Sequence, residues 1–126
     1  IVMGLAVPYI RTGIKAANES SAVSSLRTLS TAEELYRPRQ NPPVYANAFN
    51  TLQTAGFLDG HLATGTKDGY TFVFSPAKQT DADNYAFLAS PHIVGNTGDR
   101  WFYVDETGVI RMSEPGPADT TSTPLR

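Results

Sequence analysis

The chain opens on Ile1-Val2-Met3-Gly4-Leu5-Ala6-Val7-Pro8-Tyr9-Ile10, with no charge before Arg11. A helix that is apolar on every side needs burial all round. This run is too short to cross a bilayer, which takes about 20 apolar residues. It lacks the basic leader and small-residue cleavage site of a signal peptide. With no initiator Met, the chain is expected to have been processed or cut. Ile1 to Ile10 then reads as the remaining half of a longer apolar stem whose partner is lipid or other copies of the chain. The alternative is an ordinary strand or helix buried in its own domain.

From Arg11 to Tyr36 the pattern changes to an amphipathic one, with no proline and only Gly13 as glycine. Val23, Leu26, Leu29, Ala32 and Tyr36 recur at spacings of three and four, the apolar stripe of a helix. Asn18, Ser21, Ser24, Ser25, Arg27, Thr28 and Glu34 make the wettable face. Lys15 with Glu19, and Glu33 with Arg37, are spaced for weak pairing along the helix. Pro38 ends it. One helix over residues 1–36 would be about 54 Å long, so one end must protrude from a domain of this size. Pro8 clashes with the carbonyl of Gly4, itself a poor helix former, so the turn from Gly4 to Pro8 is the expected kink or melting point in the assembled state.

Beyond the helix, Arg37 to Val44 carries Pro38, Pro42 and Pro43 and reads as an irregular loop. Tyr45, Phe49 and Leu52 predict a short helix over Ala46 to Ala55, with Gly56 as its stop. Phe57 and Leu58 are expected to tuck into the core, and Leu62 to Gly69 to be turn-rich. Four strands follow: Tyr70 to Ser75, Tyr85 to Ser90 stopped by Pro91, Trp101 to Asp105, and Val109 to Met112. The last two are joined by the hairpin turn Asp105-Glu106-Thr107-Gly108. Short connections favour antiparallel neighbours. Residues 113–126, with Pro115, Pro117 and Pro124 among Ser and Thr, read as a flexible tail. The fold class is therefore α+β: a long N-terminal helix (1–36) packed on a small antiparallel β-sheet, with a short helix in the intervening loop, the globular part spanning 37–112.

Composition narrows the function. The chain has 126 residues, enough for one domain, and a net charge of −2. That balance argues against a general nucleic-acid binder, which needs surplus Lys and Arg to replace counterions. The absence of Cys excludes disulfides and thiol chemistry, and two His exclude a His-rich metal site. His61 and His92 fall in separate loops with no spacing that suggests a Ser-His-Asp site, so they read as solvent-facing and the chain as no enzyme. Gly95-Asn96-Thr97-Gly98 lacks the Lys and helix of a phosphate loop. Asp81 and Asp83, with Asn84, are weak calcium candidates; the run lacks the glycine and distal glutamate of an EF-hand, and the alternative is a solvated turn. Trp101-Phe102-Tyr103 reads as strand aromatics in a small core rather than a stacking platform. Thr120, Thr121, Ser122 and Thr123 beside Pro124 are candidate glycosylation sites, set against a plain unmodified tail.

Gly4-Leu5-Ala6-Val7-Pro8, then Ala16-Ala17-Asn18-Glu19, then Ser24-Ser25-Leu26-Arg27-Thr28-Leu29-Ser30-Thr31-Ala32-Glu33, resemble the head of a type IV pilin or pseudopilin. Gly69-Tyr70-Thr71-Phe72, Thr97-Gly98-Asp99-Arg100-Trp101-Phe102 and Asp105-Glu106-Thr107-Gly108-Val109-Ile110-Arg111 resemble a cysteine-free bacterial subgroup of that family, so the similarity spans nearly the whole chain. The family's methylated aromatic N-terminus with a buried glutamate is absent, and would lie upstream of Ile1. The disulfide that closes many pilins cannot form here.

The resemblance implies a structural subunit of a type IV pilus-like extracellular filament without cofactors. It would be held in the inner membrane before assembly, processed by a prepilin peptidase and polymerised by a pilus or secretion machine. The self-assembly residues are then Ile1, Val2, Met3, Leu5, Val7, Pro8, Ile10 and Ile14, with Gly4 and Pro8 as the helix break. Its partners are identical subunits in a helical filament, and no nucleic acid. The other reading is a minor pseudopilin of a type II secretion system, or a tip adhesin, binding a ligand through Pro91 to Arg100 or Arg37 to Val44.

Overall fold

The structure, a computed structural model, describes the backbone of residues 2–125 and the side chains of residues 13–125. It is α+β. Helix α1 (Val2–Tyr36) is followed by a single 3-10 turn (Arg37–Arg39), α2 (Phe49–Thr54), α3 (Gly60–Ala63) and strands β1 (Thr66–Lys67), β2 (Tyr70–Phe74), β3 (Ala86–Pro91), β4 (Trp101–Asp105), β5 (Arg111–Ser113) and β6 (Thr123–Pro124). The six strands form one antiparallel meander in sequence order.

The C-terminal half of α1 lies across β4, β3 and β2. Leu26, Leu29 and Ala32 of the stripe are buried there, with Val23 and Tyr36 packed at its margins. Alternation sorts the sheet residues by face. Tyr70, Phe72, Phe87, Ala89, Phe102 and Val104 meet the helix and α2. Ala86, Leu88 and Tyr103 point the other way, against Ala118 and Trp101. Both faces of β3 are therefore covered, which is why a strand with small alternating residues is buried along most of its length.

Several expectations need correction. Ser25 was placed on the wettable face, yet it is buried. Glu33 is fully buried and makes no pair with Arg37, whose guanidinium instead holds Asp83 at 3.2 Å. Lys15 pairs with Asp99 at 3.1 Å rather than with Glu19. The expected helix over 46–55 shrinks to α2, because the Ala46 amide donates to Glu33 at 2.7 Å and Tyr45 donates to the Asp81 carbonyl, holding both residues out of a helix. Pro91 is the last residue of β3, opposite Tyr70, not the residue that stops it. The fourth predicted strand shifts forward to Arg111–Ser113.

Two strands were not foreseen. β1 and β2 form a hairpin on Asp68 and Gly69, both at positive φ (50° and 80°), the conformation that Asp-Gly favours in a two-residue turn. The segment expected as a flexible tail, 113–126, is docked: β6 pairs with β5, Leu125 donates to the Ile110 carbonyl at 2.7 Å, and Ala118 is buried against the outer face of the sheet. Its proline-rich composition suggested disorder, but Ala118 and Leu125 supply apolar anchors and β5 offers an open edge. α1 continues as helix through Gly4 and Pro8 in the single chain. The break expected there concerns the assembled state.

Candidate functional site

The features that single out this fold gather where α1 leaves the sheet. The helix is 35 residues long, about 52 Å. The side chains of Ile1, Val2, Met3, Leu5, Val7, Pro8 and Ile10, named above for self-assembly, lie outside the described residues. Ile14 is described and is 51% exposed, with Gly13, Ala16 and Ala17 exposed beside it. The first described residue that grips the globular part is Lys15.

From there upward a loop clasps the helix. Asn18 Nδ2 donates to the Thr97 carbonyl at 2.9 Å. Glu19 Oε2 accepts from the amides of Asp99 (2.9 Å) and Arg100 (3.1 Å), while its Oε1 takes the Arg100 guanidinium at 3.1 Å through both Nε and Nη2. Ser21 donates to Asp68 in the β1–β2 turn. One helical face thus binds the loop after β3 and the neighbouring hairpin through charge-assisted bonds, which are roughly twice as strong as neutral ones. Below the loop, Gly98 rests on the Tyr70 ring, whose hydroxyl donates to the Arg100 carbonyl at 2.6 Å. Ile93 and Val94, at the loop's tip, are 51% and 54% exposed.

The clasp has a measurable consequence. Glu19→Ala removes the acceptor of two loop amides and of a guanidinium that is only one-third exposed. It is expected to cost about 2 kcal/mol in urea unfolding, with the largest amide shifts at Asp99 and Arg100.

No protein-family model, curated protein or solved structure matches this chain. Among the described residues no helix is long and apolar enough to cross a membrane.

The remaining candidates fall as follows. Asp81 Oδ1 accepts from the amides of Asp83 and Asn84 at 2.8 Å each, and the Asp83 amide foremost holds its carboxyl below the usual range. Asp83 faces Arg37. The pair is thus engaged in its own turn and an ion pair, and among the described residues no three His, Asp or Glu side chains gather as a metal site. His61, on the short helix α3 rather than in a loop, and His92, just past β3, line one cleft of about 410 Å3 with Lys67, Asp68 and Thr71. Pairing of β1 with β2, and of β2 with β3, brings them there. Neither imidazole makes a hydrogen bond among the described residues. Thr121 Oγ1 donates to Asp119, and Ser122 Oγ accepts the Asp119 amide, so these two hydroxyls close a turn; Thr120 and Thr123 are exposed. The segment 37–44 carries exposed Pro42 and Pro43.

Glu19, Asp99 and Arg100 were not foreseen as a unit. Their signal is one helical carboxylate and a Gly-Asp-Arg run, but 80 and 81 positions separate Glu19 from Asp99 and Arg100. No local spacing rule reaches that far.

Proposed function

We propose that the chain is a structural subunit of a type IV pilus-like extracellular filament, polymerising through the apolar N-terminal portion of α1. The observation that carries this reading is a 35-residue helix entered by a wholly apolar run and, among the described residues, gripped by the globular part from Lys15 onward. In such a subunit the globular sheet anchors the helix through the Glu19 clasp and leaves the run from Ile1 to Ile10 for neighbours. Ile1, Val2, Met3, Leu5, Val7 and Ile10 leave water as copies bundle, at about 25 cal/mol per Å2 of apolar area, before association costs. A head-to-tail arrangement repeats that contact along a helical lattice. The globular parts face outward, and an inner-membrane pool before assembly and a pilus or secretion machine complete the scheme. The role is structural, not catalytic, and needs no cofactor.

Electron microscopy and sedimentation of the chain with its apolar segment intact test the reading. Filaments or large polymers are expected, and Val7→Asp with Ile10→Asp is expected to reduce the sedimenting fraction at least about tenfold, since each buries an unpaired charge. A monodisperse monomer with the wild-type segment would count against the proposal.

A second reading, as a minor pseudopilin or tip adhesin, draws on the exposed Ile93 and Val94 at the end of the 91–100 loop. Stoichiometry separates the two: a major subunit repeats along the filament, whereas a tip protein occurs once.

A further inference from the structure

Glu33 sits in the last turn of α1 with its side chain fully buried. Its Oε1 accepts the Ala46 backbone amide at 2.7 Å. Its Oε2 is sealed from solvent and has no hydrogen-bond partner. Ala46 belongs to the same buried hydrophobic cluster as Tyr45 and Leu52. An uncharged carboxyl tolerates this site; a carboxylate with a single hydrogen bond and no water does not.

Among the described residues no cation pairs with Glu33. On α1 the adjacent Glu34 is a like charge, and its Oε2 takes the Tyr45 hydroxyl at 3.1 Å. Arg37 is turned to the Tyr45 ring, the Ala82 carbonyl and Asp83. From the segment after α1 the facing group is Tyr45. From the start of β3 it is Tyr85, whose hydroxyl is shared with Ser30. On the β4–β5 turn Glu106 is another acid, held by Lys78 at 2.8 Å. Glu33 belongs to none of the ion pairs among the described residues.

What Glu33 holds enters the core only at Tyr45 and Ala46 among its buried residues. Residues 37–48 carry two exposed prolines. Their other polar ties to the body are Arg37 to Ala82 and Asp83, Gln40 to the Tyr36 carbonyl at 3.3 Å, Tyr45 to Glu34, and the Tyr45 amide to the Asp81 carbonyl at 3.3 Å, beside the Tyr45 ring packed edge-on to Tyr85 at 4.8 Å and Arg39 over the Phe57 ring at 5.1 Å. We propose that Glu33 is a proton-controlled latch, holding segment 37–48 on α1 while uncharged and releasing it once ionised. Release lifts Ala46 from Oε1 and lets water reach the carboxylate, while Leu52 and the β-sheet stay packed. Burial, opposed by the Ala46 hydrogen bond and reinforced by Glu34, pushes the Glu33 carboxyl up to about 8, which puts the transition in mildly alkaline solution.

The test is a pH titration of the wild-type chain from 5 to 10, with ¹³C labels on Glu carboxyls and on the Ala46 methyl, alongside tryptic cleavage after Arg39. The Glu33 carboxyl is expected to titrate near pH 8, with the Ala46 methyl moving at the same midpoint. Cleavage between Arg39 and Gln40 is expected to rise at least about fivefold across it, relative to an unstructured peptide of the same sequence. In Glu33→Gln the Ala46 signal and the relative cleavage are expected to stay flat. Ionisation of Glu33 below pH 6, an Ala46 methyl that does not follow it, or an unchanged pH response in Glu33→Gln would each overturn the proposal. Should Glu33→Gln not fold, the wild-type titration still decides.

Discussion

Global stability is expected to fall by about 1.4 kcal/mol for each pH unit between roughly 4.5 and 8, a total of about 5 kcal/mol, through Glu33 alone. The sign follows from proton counting. Below 4.5 both folded and unfolded chains hold the Glu33 proton, and nothing depends on pH. Between the two values only the folded chain holds it, so each rise in pH favours unfolding. Above 8 both are ionised and the penalty is constant. Urea unfolding across pH 4.5 to 8.5 measures this directly. A plateau reached before pH 8 would report the cost of freeing segment 37–48, because opening then becomes cheaper than burying the charge. Glu33→Gln, which keeps an acceptor for Ala46, is expected to flatten the profile and to gain about 3 kcal/mol at pH 7. Asp105 acts in the opposite sense. Burial raises its carboxyl, but Thr107, Lys78 and Tyr103 together outweigh that and hold it below its ordinary range, so its contribution disappears as pH falls through the carboxylate region. Maximal stability is therefore expected near pH 4 to 5. A profile rising from pH 5 to 8 would refute the assignment.

Gly98→Ala is expected to cost about 3 kcal/mol and to lower the thermal midpoint by roughly 10 °C. A Cβ at that position would fall inside the Tyr70 ring, against Oη, Cζ and Cε1. Tyr70 has nowhere to go: it is 1% exposed, packed on Phe102 and tied by its hydroxyl to the Arg100 carbonyl. The loop cannot lift either without losing Asn18 from Thr97 and Glu19 from Asp99 and Arg100. Tyr70→Ala, itself destabilising, removes the obstruction, so Gly98→Ala in that background is expected to cost under about 1 kcal/mol. Chemical denaturation of the four members of this cycle checks the coupling. Tyr70→Phe will not rescue, since two ring carbons remain in the way. Equal costs of Gly98→Ala in both backgrounds would show that the close approach of Gly98 to Tyr70 does not control the loop.

Legibility in the sequence followed the range of the forces involved. The stripe Val23, Leu26, Leu29, Ala32 predicts a helix because its spacing is that of one α-helical face, and the same residues are the ones buried. Trp101–Asp105 is a strand in both readings, and Gly108 closes its turn at positive φ with its amide donating to the Asp105 carbonyl. Tyr70 to Phe74 alternates as a half-buried strand should. The weakly patterned pieces were misread. Thr123 and Pro124 have no strand signature, and only the exposed edge of β5 makes them one. Lys67-Asp68-Gly69-Tyr70 did carry a hairpin signal, which the absence of a long apolar run before it obscured.

Charged residues were the hardest to place, for a physical reason. Local spacing pairs Lys15 with Glu19 and Glu33 with Arg37, each worth only about 0.2–0.5 kcal/mol on an open helix. In the folded chain all four take partners from other elements: Asp99, Arg100, Ala46, Asp83. A weak local pair yields whenever tertiary structure offers a charge-assisted or desolvated one. Thus periodicity and turn chemistry alone determined the long helix, the central strands and the α+β class, because those depend on neighbours a few residues apart. The clasp on Glu19, the buried acid at Glu33, the cleft shared by His61 and His92, and the docking of the C-terminal strand were decided only by the tertiary structure. Each depends on which distant backbone edge or amide arrives beside a side chain, and that is set by how the sheet folds against α1.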